Sequence, residues 1–217
     1  MKTAVIILNY NSENDTIRYV NEIEQYNCIN TIVVVDNFST NKDTMEKLLL
    51  LKNEKVHVIQ TTKNGGYSYG NNQGLKYLDS LNEKYDYIVI SNPDVEVKEN
   101  VFESCFKELE ENEKTAVCTP RMYDFKDNPI RRSSWKIRTP KIDMANSTRL
   151  TQILLYKLFK NGEYPAEEFE RNSRLKVEAV TGAFFVIRYD VFKKCNFFDE
   201  NVFLFYEEDI LAKQLQK

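Results

Sequence analysis

Residues 87–97 read YIVISNPDVEV, an apolar run broken at Asn92-Pro93-Asp94 and resumed as Val-Glu-Val. A buried strand delivering a carboxylate at its C-terminal end has this form. The apolar part needs both faces covered, and Pro93 stops the ladder because it has no N–H to donate. Asp94 would then stand at the edge where open α/β sheets take their ligands. A hard oxygen there suits a divalent cation carrying a diphosphate. Read alone, Asn-Pro-Asp is equally well a plain turn.

Four other clusters could do chemistry. Asn9-Tyr10-Asn11 and Asp36-Asn37-Phe38-Ser39 each follow an apolar run. An aspartate at the end of a second parallel strand can accept from a ribose hydroxyl or a base N–H. Asp36 could instead cap the next helix, although Ser39 and Thr40 are at hand to do that. Asn64-Gly65-Gly66 precedes a helical pattern that includes Asn71. Glycines there would let an anion approach the helix N-terminus, but neither a Walker A loop nor G-x-G-x-x-G is present. Glu207-Glu208-Asp209 opens the final helical pattern after the aromatic FLFY. The helix dipole alone would justify those carboxylates, and the functional alternative is a general base at the rim of a site. His57, the only histidine, falls inside a strand pattern and reads as structural.

The elements that must position these groups alternate. TAVIILN, TIVVVDN, VHVIQ and YDYIVIS read as strands. Between them lie helical patterns with Ile17, Val20 and Ile23 on one inner face and Met45, Leu48, Leu49 and Leu51 on the next, then Leu75, Leu78 and Leu81. A further helix carries Val101, Phe102, Cys105, Phe106 and Leu109 inward. Such alternation predicts a Rossmann-like α/β fold, a mostly parallel central sheet flanked by helices. The second half differs. TAVCTPRMYDF reads as a short strand, residues 131–141 hold five basic residues and no acidic one, and residues 145–160 form a basic amphipathic helical pattern. Residues 161–176 read as a polar loop, VEAVTGAFFVIRYDVF as strand, and the C-terminus as helix. The expected organisation is one domain, 1–217, in two halves, 1–97 and 98–217, the second carrying an insertion (120–176).

Composition narrows the classes. Hydrophobic content of 42% and charged content of 29% suit a globular protein. A net charge of −3 gives no reason to expect nucleic acid as partner. Cys28, Cys105, Cys118 and Cys195 stand far apart without a C-x-x-C pair, which suggests neither a zinc site nor a disulfide framework. No stretch approaches the roughly 20 apolar residues of a membrane span. The expected location is the cytoplasm, with the inner face of a membrane as the alternative. Trp135 and Phe159 among the cations of 131–160 would suit a peripheral membrane contact.

Taken in order, LNYN, VVVDNFST, NGGYSYGNNQG, ISNPDVEV, VTGAFFVIRYDVF and FYEED resemble the inverting glycosyltransferases of family two, in particular rhamnosyltransferase-like members that build bacterial surface polysaccharides. The resemblance implies the GT-A fold, a UDP- or dTDP-type nucleotide-sugar donor, a saccharide or lipid-linked acceptor, and Mn2+ or Mg2+. It implies that Asp36 holds the nucleobase and that Asn9, Tyr10, Asn11, Asn37, Ser39, Gly65, Gly66, Asn71 and Asn92 line the nucleotide pocket. Asp94 matches the metal-binding aspartate of the family's DXD element, with Asn92 at its first position. Asp209 matches the general base, with Glu208 beside it. The chain departs from the pattern at Asn41 and at Leu211, where aspartates are usual, and it ends at Lys217 where relatives continue. A shortened or truncated protein is therefore expected. The rival readings are a non-catalytic nucleotide-sugar binding module and a sugar-nucleotide nucleotidyltransferase. The second would carry a Gly-rich basic loop after strand one, where this chain has Asn-Tyr-Asn-Ser.

Overall fold

The computed structural model describes residues 1–130, 133–137, 139, 148, 164 and 166–216. These divide into two compact units, one of Met1–Pro120 with Gly182–Leu211 and one of Arg121–Thr181 with Ala212–Lys217. The second unit overlaps the expected insertion but also takes in residues 177–181 and the C-terminal end.

The first unit is built on β1 (Thr3–Asn9), β2 (Thr31–Asp36), β3 (Val56–Gln60) and β4 (Tyr87–Ser91), separated by α1 (Glu13–Ile23), α2 (Thr44–Leu49) and α3 (Gly66–Ser80). α4 (Glu99–Glu111) then leads to the short β5 (Val117–Cys118). Its remaining elements are a strand, Phe184–Arg188, the helix Tyr189–Lys194 and the start of the helix Glu207–Leu215. The second unit holds β6 (Ser134–Trp135), α5 (Ala166–Arg171) and β7 (Ala179–Val180). In chain order the later elements are therefore β8 (Phe184–Arg188), α6 (Tyr189–Lys194) and α7 (Glu207–Leu215).

Among the described residues the central sheet has six strands in the order β3-β2-β1-β4-β8-β5. β1 to β4 are mutually parallel, while β8 runs antiparallel to β4 and β5 antiparallel to β8. β2 and β4 are buried at every residue. That agrees with their unbroken apolar runs, because helices cover both faces of such a sheet. α3 comes close to the sheet: a Cβ on Gly74 would lie 2.8 Å from Ile6 and Val35 side-chain carbons. The order reverses at β1, where β2 and β3 lie to one side and β4 to the other. Asn9 and Asn92 flank this switch point, the usual crevice for a ligand in an open α/β sheet.

Local expectations fail in four places. Residues 189–192, expected to continue a strand, open the helix α6, with Asp190 in its first turn and Lys193 and Lys194 in its last. In α2 only Thr44 and Leu48 are buried, while Leu49 is exposed; the helix is too short for an apolar stripe to close. Residues 161–176, expected to be loop, contain α5. Pro165 before its start, Glu167 and Glu168 in its first turn and a Glu167–Arg171 pair at 3.9 Å all favour a helix. On the inner face of α1, Tyr19 is buried and Ile17 only half-buried. In the second unit β6 and β7 pair antiparallel, and Trp135 packs on Ile137, Ala179 and Ala212. The basic helical pattern at 149–160 and most of the charges in 131–141 lie outside the described residues.

Candidate functional site

Parallel pairing brings the ends of β1, β2 and β3 into one row, with Asn9 beside Asp36 and Asp36 beside Gln60. Asp36 is fully buried. Its Oδ1 accepts from Asn9 Nδ2 at 2.8 Å and Ser39 Oγ at 2.5 Å, and its Oδ2 accepts from Gln60 Nε2 at 2.8 Å and Ser39 N at 3.3 Å. These donors are all neutral dipoles, which satisfy both oxygens of the buried carboxyl group. Asp36 does not cap a helix, since α2 begins eight residues later with Asp43 at its N-cap. Nor do Ser39 and Thr40 cap it; they bind back to Asp36 and Asn11.

Asn9 spends its whole amide on the chain, because its Oδ1 accepts from Thr16 Oγ1 at 2.8 Å and Ser12 Oγ at 3.3 Å. Asn11 holds a left-handed backbone (φ 52°) and its Oδ1 takes Thr40 N at 2.8 Å. Asn37 reaches Asn64 Oδ1 at 3.0 Å and the Gly66 carbonyl at 3.1 Å. Tyr10 and Phe38 project from the same edge, 43% and 50% exposed. Gln60 was not among the candidates, although its place at a strand end beside Asp36 is the signal that would have found it.

At the start of α3 the glycines serve the chain itself. Gly66 has φ 84°, and a Cβ there would lie 2.0 Å from the Phe203 carbonyl oxygen. That oxygen accepts from Tyr67 N at 2.9 Å, and Gly66 N donates to Asn64 Oδ1 at 3.1 Å. Two of the N–H groups expected to face an anion are thus engaged within the chain. Gly65 packs against the Tyr69 ring. Asn71 is 1% exposed and its Oδ1 has no hydrogen-bond partner among the described residues.

Across the switch point, Asp94 is exposed just beyond β4 and Asn92 is half-buried. Asn92 N donates to the Ala183 carbonyl at 2.8 Å. The preceding residue, Gly182, donates its N–H to Glu208 Oε1 at 2.9 Å and accepts from the Tyr67 hydroxyl at 2.7 Å. Residues 182–183 therefore join the end of β4, the first turn of α3 and the first turn of α7. Thr-Gly-Ala marks this place in the sequence, but its spacing gives no hint that four elements meet there.

The three acids of α7 differ. Glu208 is half-buried, whereas Glu207 and Asp209 are each 5% exposed. Among the described residues Glu207 Oε2 has no hydrogen-bond partner. Burial, and then the charge of Glu208, pushes the Glu207 carboxyl above its ordinary range, against a backbone hydrogen bond that lowers it. Among the described residues no group of three or more His, Cys, Asp or Glu side chains could hold a metal on protein ligands alone. Asp94 still suits one role: Mg2+ or Mn2+ brought in with phosphates needs only one or two carboxylates, the rest of its shell being phosphate oxygen and water. An exposed carboxylate at a strand end leaves room for that shell.

A family model described as glycosyl transferase family 2 matches residues 4–195. The low-salt glycan biosynthesis hexosyltransferase Agl10 of Haloferax volcanii is 28% identical over 206 residues, 94% of this chain and 58% of that protein. Among solved structures, the mannosyltransferase PcManGT from Pyrobaculum calidifontis, in complex with GDP-Man and Mn2+, superposes with a TM-score of 0.60. It is 13% identical, and the match covers 97% of this chain and 50% of that one. S. aureus TarS 1-349 in complex with UDP-GlcNAc gives a TM-score of 0.63 at 16% identity, covering 99% and 53%. The chain thus spans about half the length of these relatives, or slightly more.

Proposed function

The chain belongs to glycosyl transferase family 2 and has the GT-A fold, and on that premise we propose that it transfers a hexose, with inversion, from a nucleoside-diphosphate sugar to a hydroxyl of a saccharide or lipid-linked acceptor. The observation that carries this reading is the pair of consecutive bonds at residues 182–183. They tie Asn92, two residues before Asp94, to Glu208, one residue before Asp209. A diphosphate-facing carboxylate and an acidic pair fixed to one short segment are what a single displacement between donor and acceptor requires.

In this reading Asp36, with Asn9, Tyr10, Asn11, Asn37 and Ser39 around it, receives the nucleoside at the β1–β2 edge. A base N–H or ribose hydroxyl competes there with the donors that Asp36 already holds. Asp94 would hold Mn2+ or Mg2+, which supplies charge stabilisation for the departing diphosphate. Asp209 removes the proton from the acceptor hydroxyl as its oxygen bonds to the anomeric carbon and the bond to the diphosphate oxygen breaks. Glu208 keeps the start of α7 in register with the β8 edge. The nucleotide is of UDP or dTDP type, with GDP as the comparison that the Pyrobaculum relative suggests.

One observation favours a second reading. Asp209 is 5% exposed in this chain, which suits a nucleotide-sugar binding module that does not turn over. Titration calorimetry of UDP, dTDP and GDP with manganese or chelator, on the chain and its Asp94→Ala variant, tests the donor side of both readings. Metal-dependent binding lost in Asp94→Ala is expected, and equal affinity in all conditions would remove Asp94 from the metal. Release of nucleoside diphosphate from a donor sugar with an acceptor present separates enzyme from binding module.

A further inference from the structure

We infer that Tyr67 is a positioning residue for the acidic pair, holding Glu208 through Gly182 and holding the segment ahead of α7 through its own backbone. The inference rests on the reading of Glu208 and Asp209 as the catalytic pair. Tyr67 is the second residue of α3, and three contacts set its place. Its hydroxyl donates to the Gly182 carbonyl at 2.7 Å, its N–H donates to the Phe203 carbonyl at 2.9 Å, and its ring meets Phe198 edge-on with centroids 5.5 Å apart. Gly182 passes the constraint on, because its own N–H donates to Glu208 Oε1 at 2.9 Å.

No side chain fits between these partners. A Cβ on Gly182 would lie 2.7 Å from the Tyr67 hydroxyl oxygen and 3.0 Å from Glu208 Oε1. The segment held through Phe203 also stores strain, since Phe205 and Tyr206 have φ of 71° and 70° and are 71% and 46% exposed. Two aromatic residues in left-handed conformation persist only where neighbours fix both ends. Tyr67 fixes one end directly and the other, at Glu208, through a single residue. Its phenol also stays a neutral donor at any physiological pH, because burial and then the charges of Glu208 and Glu207 push its pKa well above the ordinary value. A hydroxyl that never ionises is a steady anchor beside two carboxylates.

Tyr67→Phe deletes the hydroxyl and keeps the ring on Phe198. Peptide-resolved hydrogen exchange on the chain should then show faster exchange at Gly182 and over residues 207–210, by about tenfold, the worth of one buried hydrogen bond. Exchange in β1 to β4 and the affinity for nucleotide with manganese should not change. In the turnover assay kcat should fall by about tenfold while KM for the donor holds. The double variant Tyr67→Phe/Glu208→Gln should cost less than the product of the two single losses, since the residues act as a unit. Unchanged exchange at Gly182 and α7 in Tyr67→Phe, or a uniform rise across the unit, overturns the inference. If Asp209→Asn turns over normally, the catalytic reading fails instead, and the exchange result still decides whether Tyr67 holds Glu208.

Discussion

The two sides of the switch point are built in opposite ways. On the β1–β2–β3 side the polar atoms around Asp36 are matched within the chain: Asp36 accepts four hydrogen bonds from Asn9, Ser39 and Gln60, and Asn9 spends both ends of its amide, although the neighbouring Phe38 is left-handed (φ 61°) and 50% exposed. Even its left-handed Asn11 is clamped by Thr40. On the β4–β8–α7 side Asp94 stands in solvent, Glu207 is buried with an oxygen unmatched among the described residues, and Phe203, Leu204, Phe205 and Tyr206 are exposed, the last two in left-handed conformation. A matched lattice is preformed, so a ligand that arrives meets groups already held in place and has only to compete for their hydrogen bonds. Unmatched polar atoms and left-handed aromatics raise the free energy of the folded chain, and such costs gather where function requires them. The side proposed to take the nucleoside is largely set by folding, while the side proposed to take the acceptor holds its cost in reserve.

The largest effect should come from breaking the matched side. Asp36→Ala leaves the Asn9, Ser39 and Gln60 donors without their acceptor, which should cost about 3 kcal/mol or more of stability in a denaturant titration. If Asp36 also meets the nucleoside, binding should weaken by about 1.5–3 kcal/mol as well. Lost stability with unchanged nucleotide affinity would make the lattice structural only.

Next in size is the acid pair. Asp209→Asn keeps the shape but cannot take the acceptor proton, so turnover should fall by about 10²-fold or more with donor binding intact. Retained turnover there, with turnover lost in Glu208→Gln, would move the base one residue back, toward the more exposed carboxylate.

The smallest effect tests the stored cost itself. The folded Glu207 carboxyl lies above its ordinary value of 4.5, so the folded chain holds that proton longer than the unfolded chain does. Stability should therefore fall as pH rises from the unfolded value through the raised folded one, with the penalty complete above it. Glu207→Gln removes the charge and should raise Tm at pH 7 by about 2–4 °C, the scale of 1 kcal/mol for a domain of this size. It should also flatten the dependence on pH in that window. A lower Tm at pH 7 in the variant would mean that the ionised carboxylate is matched after all and that the two sides are built alike.

Much of this organisation was legible in the sequence. The runs of β1 to β4 and the inward faces of α3 and α4 were readable because local periodicity and burial on both sheet faces leave a strong pattern. Asp36 and Asp94 were readable because a carboxylate that closes an apolar run sits where a buried strand leaves the sheet. α2 misled because an apolar run of four leucine-class residues does not say how many turns the helix will complete. Asn9 and Gly66 were expected to line a nucleotide pocket, and the sequence did not show what they are structurally, an amide bracket and a seat for the Phe203 carbonyl.

By itself, then, the sequence determined the strands β1 to β4, the helices α1, α3 and α4 and the acids that end β2 and follow β4, since these follow from side-chain period and from the backbone limits of proline and glycine. Only the tertiary structure decided that β8 enters antiparallel beside β4, bringing Gly182 and Ala183 to the edge where Asn92, Tyr67 and Glu208 meet. Those partners lie as far as 115 residues apart in the chain. Hydrogen bonds between groups so distant leave no periodic trace, because the pairing is fixed by sheet order and register and not by any local preference.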